Sequence, residues 1–200
     1  MLSPPSKVKR TLVVLGHPDT DSFCGALADA YAEGAASVGA EVRRVNLGDL
    51  EFDPSLHKGY KVIQQLEPDL LMVQDAILWA EHVVFVYPLW WGGMPAVMKG
   101  FIDRAFHPKF GFKFVSDTSY LWKGLLTGRS ARLIVTMDAP PIAMRLMFSN
   151  PQIQSFRNLT LRFCGFSPVR VTQFGSVKRS TRARRFLWRV KVRELGERQR

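Results

Sequence analysis

Apolar residues follow two alternating rhythms along the chain. TLVVL (11–15) is a short β-branched run closed by Gly16, and CGALADAYAEGAASVGA (24–40) sets Leu27, Tyr31, Gly34 and Val38 on one helical face. EVRRVNL (41–47) reads as a second strand, followed by a polar, loop-like stretch from Gly48 to Tyr60. LEPDLLMVQDAILWA (66–80) has helical spacing through Leu70, Val73, Ile77 and Leu78, and HVVFVY (82–87) is a fully apolar strand. In PAVMKGFIDRAF (95–106) Pro95 takes the first helical position and Val97, Met98, Phe101, Ile102 and Ala105 share one side. Lys99 and Asp103 pair at i, i+4 on the other. FGFKFV (110–115) alternates like a short strand or hairpin arm, and RLIVTM (132–137) is a buried strand. Residues 142–165 offer one broken helix or two short ones, and PVRVTQFG (168–175) is the last strand.

Strands that alternate with helices, several of them apolar throughout, imply an α/β protein whose mostly parallel sheet is covered on both faces. In such a sheet ligands sit beyond the carboxyl ends of the strands, where the strand order reverses. Three loops are therefore expected to converge: GHPDTDSFC (16–24), YPLWWGG (87–93) and TMDAPP (136–141).

Composition narrows the class. With 200 residues, 46% of them hydrophobic, residues 11–200 can form one domain around one sizeable core, behind a flexible leader at 1–10. That leader, MLSPPSKVKR, has no apolar h-region, and Glu81, His82 and Pro88 interrupt the longest apolar stretch, so neither a signal peptide nor a membrane span fits. Cys24 and Cys164 show no metal-ligand spacing and no disulfide framework, which points to a reducing, cytoplasmic setting and to buried thiols. The net charge is +11, yet residues 178–200 carry ten Lys/Arg against two Glu, a net +8. A broad nucleic-acid face is thus disfavoured. The tail reads as a basic helix over about 180–196, with Ala183, Leu187 and Val190 towards the core and arginines in water. A solvated face and a contact with acidic lipid, nucleic acid or a partner both remain open for it.

The first loop has neither GxGxxG nor GxxxxGK(S/T). It places His17, Thr20, Asp21 and Ser22 before a helix whose free N–H groups and dipole suit a phosphate; a plain N-cap by Ser22 or Asp21 is the alternative. Asp19 and Asp21 oppose a dianion unless their side chains turn outward. In the second loop Trp90 and Trp91 beside Gly92 and Gly93 let a planar ring approach the backbone, or else the indoles anchor the core or a dimer interface. His57, His82 and His107 have no ligand spacing, so His82 reads as a strand-entry residue and the others as loop residues. Tyr87 and Tyr120 read as packing residues, and Phe110, Phe112 and Phe114 as core or as a cover for the pocket or a neighbouring subunit.

HPDTDSF, then YPLWWGGMPAVMKGFIDRAF, then a strand ending in TMD, taken in this order, resemble the NAD(P)H dehydrogenase (quinone) family, of diaphorase or modulator-of-drug-activity type, over residues 11 to about 175. The resemblance implies a flavodoxin-like three-layer sandwich with a five-stranded parallel sheet of order 2-1-3-4-5 and helices on both faces. It also implies a homodimer, a non-covalent FMN or FAD, NAD(P)H as co-substrate, and ping-pong hydride transfer to a quinone or similar small acceptor. By motif position, the cofactor's phosphate falls on His17, Asp21, Ser22, Phe23, Cys24 and Ala26. Its ring edge falls on Pro88, Leu89, Trp90, Trp91 and Gly92, and the third loop supplies Thr136, Met137 and Asp138. Backbone N–H groups near Gly92, Gly93 and Asp138 would stabilise charge on the reduced ring. Three departures stand out. Cys24 replaces a common asparagine, TMDAPP replaces a glycine-rich loop, and no Tyr or His occurs between 138 and 165, so no side-chain acid or base is assigned. The same resemblance includes flavin-binding ancillary proteins that regulate membrane ion-efflux systems, for which the basic tail would be the contact.

Overall fold

Arg10–Leu15 (β1) and His82–Pro88 (β3) are buried almost throughout, because their β-branched and aromatic side chains fill both faces of one sheet. The computed structural model describes residues 9–62, 64–116 and 118–199. Most of the expected leader lies outside them, and β1 begins inside it at Arg10. Glu41–Asn46 (β2), Ser130–Thr136 (β6) and Val169–Phe174 (β7) complete a five-stranded sheet, with a hairpin of Phe112–Phe114 (β4) and Trp122–Gly124 (β5) outside it. The sheet order is β2-β1-β3-β6-β7 and all four pairings are parallel. Counted in chain order, the five strands have the expected order 2-1-3-4-5.

Alternate residues of each strand separate two cores. Val13, Leu15, Val84, Val86 and Ile134 face α1 (Phe23–Ser37) and α6 (Arg182–Glu197). Leu12, Val14, Phe85, Tyr87 and Leu133 face α2 (Pro68–Trp79), α3 (Ala96–Ala105) and the segment after β6. That segment is α4 (Pro141–Phe148), then left-handed Ser149 and Asn150, then α5 (Pro151–Gln154), which runs into a π-helical stretch at Ser155–Arg162. Helices α1 and α6 meet at glycines. A Cβ on Gly34 would stand 2.1 Å from the Arg193 carbonyl oxygen, and one on Gly196 would stand 2.2 Å from that of Tyr31.

Four sequence expectations need correction. On α6 the core face is Trp188, Val192, Leu195 and Gly196, whereas Ala183, Leu187 and Val190 point outward; seating through Gly196 rotates the helix away from the more conspicuous apolar stripe. Val38 and Leu78 are exposed: Val38 caps the end of α1, and Leu78 lies on the outer face of α2 with Leu71, seven residues before it. Pro95 precedes α3 and its carbonyl accepts the first helical hydrogen bond, from Lys99 N. The aromatic alternation of the hairpin segment is graded: Phe110 is buried, Phe112 half-buried and Phe114 exposed. The Lys99–Asp103 pair forms as read, at 2.5 Å.

Two buried polar groups tie elements together. The Arg104 guanidinium on α3 donates to Glu67 (2.7 and 3.2 Å), to the Gln65 carbonyl (2.8 Å) and to the Asp53 carbonyl, pinning the long loop between β2 and α2. Burial pushes the Glu67 carboxyl up, but the Arg104 hydrogen bond and the Asp53 N–H outweigh it and hold the group below its ordinary range. His82, at the entry of β3, contacts Tyr31 Oη through Nε2 (2.9 Å) and Ser130 Oγ through Nδ1 (2.7 Å). Burial, then the nearby Lys9, Arg132 and Arg170 charges, push its pKa down from 6.5 to about 3. Between those values the unfolded chain binds a proton that the folded chain does not, so stability is complete above pH 6.5 and falls as pH drops towards 3. Urea midpoints recorded from about pH 7 down to about pH 5, above the carboxylate range, are expected to decline, and His82→Gln to flatten the decline. Equal slopes in the two proteins would refute this assignment.

Candidate cofactor cleft at the strand ends

Parallel pairing sends the carboxyl ends of β1, β3 and β6 to one edge, where their loops enclose a cleft of about 190 Å³. It is lined by His17, Ser22, Phe23 and Cys24 from the first loop, Pro88, Leu89 and Trp90 from the second, and Thr136, Met137 and Asp138 from the third. Ten of the fourteen expected site residues therefore meet in one place. Asp21, Ala26, Trp91 and Gly92 lie outside the lining. The loop after β7 adds Val177, which the motifs missed; the signal was topological, since β7 is parallel and must open onto the same edge.

The first loop is built from local hydrogen bonds. Ser22 caps α1 by accepting from Gly25 N at 3.1 Å, which leaves the Phe23 and Cys24 N–H groups without intrahelical acceptors. Gly25 is required because a Cβ there would stand 1.9 Å from the Thr20 carbonyl oxygen. Asp19 accepts from Asp21 N at 2.9 Å, and both carboxylates stay exposed and off the cleft. The repulsion they threatened is thus directed away. His17 Nδ1 accepts from Asp19 N at 2.9 Å, so this nitrogen carries no proton, and the ring packs edge-on against Trp90, centroids 5.2 Å apart.

The second loop is a tight turn in which Trp90 and Gly93 exchange both backbone hydrogen bonds at 2.8 Å. Its central residues, Trp91 and Gly92, have φ of +50° and +71°, the left-handed pair of a type I′ turn. Glycine adopts that conformation freely; a tryptophan does so at a cost of about 1–2 kcal/mol. The turn separates the two indoles. Trp90 is half-exposed on the cleft wall, while Trp91 projects fully into solvent, so it is no core anchor. Gly93 N–H is consumed within the turn and is unavailable to a ligand, contrary to the sequence reading.

The third loop is tied down from two sides. Leu89 N donates to the Thr136 carbonyl at 2.7 Å, and Asp138 accepts from Lys178 N at 2.8 Å. Thr136 Oγ1 lies 3.2 Å from Cys24 Sγ. Burial pushes the Cys24 thiol up to about 12 against the opposing Thr136 hydrogen bond, and burial raises Cys164 likewise to about 12. Tyr87 Oη accepts from Gln152 at 3.1 Å and burial raises its pKa as well; the residue does not line the cleft. Among the described residues no His, Cys, Asp and Glu side chains group as a metal site, and no helix is long and apolar enough to cross a membrane. Two larger cavities, of about 490 and 630 Å³, lie beside α5 and β7 and beside the 56–66 loop, and neither joins the strand-end loops.

The cleft thus pairs backbone N–H donors at a helix start with an aromatic wall and two hydroxyls. A protein-family model described as flavodoxin-like fold matches residues 9–191. The ribosyldihydronicotinamide dehydrogenase-like protein traD of Penicillium crustosum is 30% identical over 152 residues, covering 64% of this chain and 57% of its own length. NAD(P)H dehydrogenase (quinone) 1 of Cavia porcellus is 27% identical over 188 residues, covering 80% of this chain and 66% of its own. This chain therefore spans less than two thirds of either relative. A solved FMN-dependent NADH-azoreductase from Bacillus anthracis, in complex with FMN, superposes with a TM-score of 0.73 at 18% identity, covering 96% of this chain and 99% of its own.

The depth and raised pKa of both thiols yield a direct prediction. A disulfide reagent at about pH 8 is expected to label neither cysteine rapidly in the folded protein and both after unfolding in urea. A fast-reacting Cys24 in the native state would contradict the cleft as described.

Proposed function

The chain belongs to the family of flavodoxin-like fold, and from that premise we propose that it is a flavin-dependent NAD(P)H oxidoreductase that reduces a quinone or similar small acceptor. The observation that carries this reading is the meeting of the α1 amino terminus, Trp90 and the Thr136–Asp138 loop in one cleft. The donor set fits a flavin. Uncommitted amides of Phe23 and Cys24 beside the Ser22 cap suit the terminal phosphate, and Trp90 suits a flat ring. FMN is the form we favour, in line with the Bacillus azoreductase. When bound, the flavin supplies the redox chemistry, taking hydride equivalents from NAD(P)H and handing them to the acceptor.

The chain's own contribution is orientation and exclusion of water. Ser22 fixes the direction of the first-turn amides, and the Leu89–Thr136 hydrogen bond holds the second and third loops at a set spacing. Trp90, braced by His17, gives the ring a wall. Cys24 is held protonated by burial and Tyr87 does not line the cleft, so no side-chain acid is assigned and solvent is taken as the proton source. The exposed Ile142, Leu146 and Met147 of α4, beside the third loop, support a homodimer that covers this edge. The small volume of the cleft supports ping-pong turnover, with donor and acceptor taking turns in one space.

Purified protein is expected to bind FMN, to lose the visible flavin absorption when NADPH or NADH is added without oxygen, and to regain it on adding a quinone. Protein that takes up neither FMN nor FAD would overturn the proposal. Trp90→Ala should weaken flavin binding by about threefold to tenfold, the loss of one stacking contact, as read by fluorescence titration.

A further inference from the structure

Helix α6 is seated on α1 by the face of Val192 and Gly196, and that leaves another face without a partner among the described residues. Ala183, Phe186, Leu187 and Val190 recur at i, i+3, i+4 and i+7, and all four are exposed; Phe186 and Leu187 are each 63% accessible. On the helical wheel this stripe lies opposite Val192 and Gly196, the buried residues of the helix. Basic residues border it on both sides, Arg182 and Arg189 along one edge and Arg184 and Lys191 along the other. Lys178 and Arg179, just before the helix, are exposed too. The two acidic residues, Glu194 and Glu197, lie near the carboxyl end and are paired with Arg198 (3.9 Å) and Arg193 (3.5 Å). The first two to three turns therefore present an apolar strip between two rows of cations.

We propose that this face of α6 docks on the anionic lipid surface of a membrane, with Phe186, Leu187 and Val190 entering the headgroup boundary and Arg182, Arg189 and Lys191 meeting lipid phosphates and carboxylates. An amphipathic helix with Phe and Leu on one face and Lys or Arg beside them has the composition of an interfacial helix. Lipid suits both halves of the pattern. A nucleic acid would neutralise the cations but leave the strip between them in water against a phosphate backbone. A second copy, packed by a two-fold axis, would set each cationic row against another, since both carboxylates are already paired. The helix is closely mounted: Gly34 lies against the Arg193 backbone and Gly196 against the Tyr31 backbone, and Trp188 packs between Phe174 (5.3 Å) and Phe23 (6.0 Å). Phe23 also lines the strand-end cleft, so the docking face and the cleft are built on shared side chains. The proposal does not depend on the flavin reading, and either can fail alone.

The test uses the full chain sedimented with vesicles of phosphatidylcholine alone and of phosphatidylcholine mixed with phosphatidylserine. Partition onto the mixed vesicles, little onto the neutral ones, and weakening by added salt are expected. The pair Phe186→Ser with Leu187→Ser, and separately the pair Arg182→Glu with Arg189→Glu, should each reduce partition by about tenfold or more. All four side chains are exposed, so the unfolding midpoint should stay at the parental value. Phe186→Trp provides a second reading that leaves the surface intact: its emission should shift to the blue on mixed vesicles. The proposal is overturned if mixed vesicles fail to bind the chain, or if the serine pair binds them as well as the parent does. It is equally overturned if the substitutions only shift the oligomeric state in sedimentation velocity, or if duplex DNA binds the chain more tightly than the vesicles do.

Discussion

Everything at the candidate site follows from the parallel pairing of five strands. A parallel strand cannot return through a tight turn, so each must be followed by a crossover, and every carboxyl end opens at the same edge. That constraint brings Ser22, Trp90 and Thr136 together although more than a hundred residues separate the first from the last. It also places Val177 in the cleft, because β7 pairs parallel to β6 and opens there as well. Covering both faces is the other half of the constraint. A sheet apolar on both sides needs two helical layers, and α1 with α6 forms one of them.

Small residues decide how closely those layers approach. Gly34 and Gly196 let α1 and α6 touch backbone to backbone, and Gly25 lets the first loop fold against the start of α1. The same seating rotates Phe186 and Leu187 into solvent, so tight packing on one side of α6 creates an apolar surface on the other. The buried polar groups serve the frame in a complementary way. His82 joins the entries of β3 and β6 to α1, and Arg104 holds the long loop after β2 against α3. Neither touches the cleft, so the chemistry proposed for it rests on backbone donors, hydroxyls and one indole.

The elements and their order were legible along the chain, because strands such as HVVFVY and helices such as α3 each carry one unambiguous period. Three loops at one edge followed from that order. Ten of the residues named from the motifs line one candidate cleft, because the loops are short and directly attached to strand ends. What periodicity misjudged were places where two faces compete or where a turn reverses the backbone. On α6 two faces carry apolar residues, and the one seated on α1 is that of Trp188, Val192, Leu195 and Gly196, where the glycine allows a close approach, while Phe186, Leu187 and Val190 stay in water. At Trp90 and Trp91 neighbours of identical type have opposite fates, one on the cleft and one in water, because a left-handed turn stands between them.

The amino-acid sequence by itself determined the α/β alternation, the parallel sheet and the edge at which the three loops converge, since these depend on local period and on chain connectivity alone. Only the tertiary structure decided which tryptophan faces the cleft, where the Asp19 and Asp21 carboxylates point, that Gly93 has no N–H to offer, and which side of the last helix is left for a partner. Each of these depends on contacts between residues distant in sequence or on the sign of a single backbone angle, and neither is written in the spacing of apolar residues.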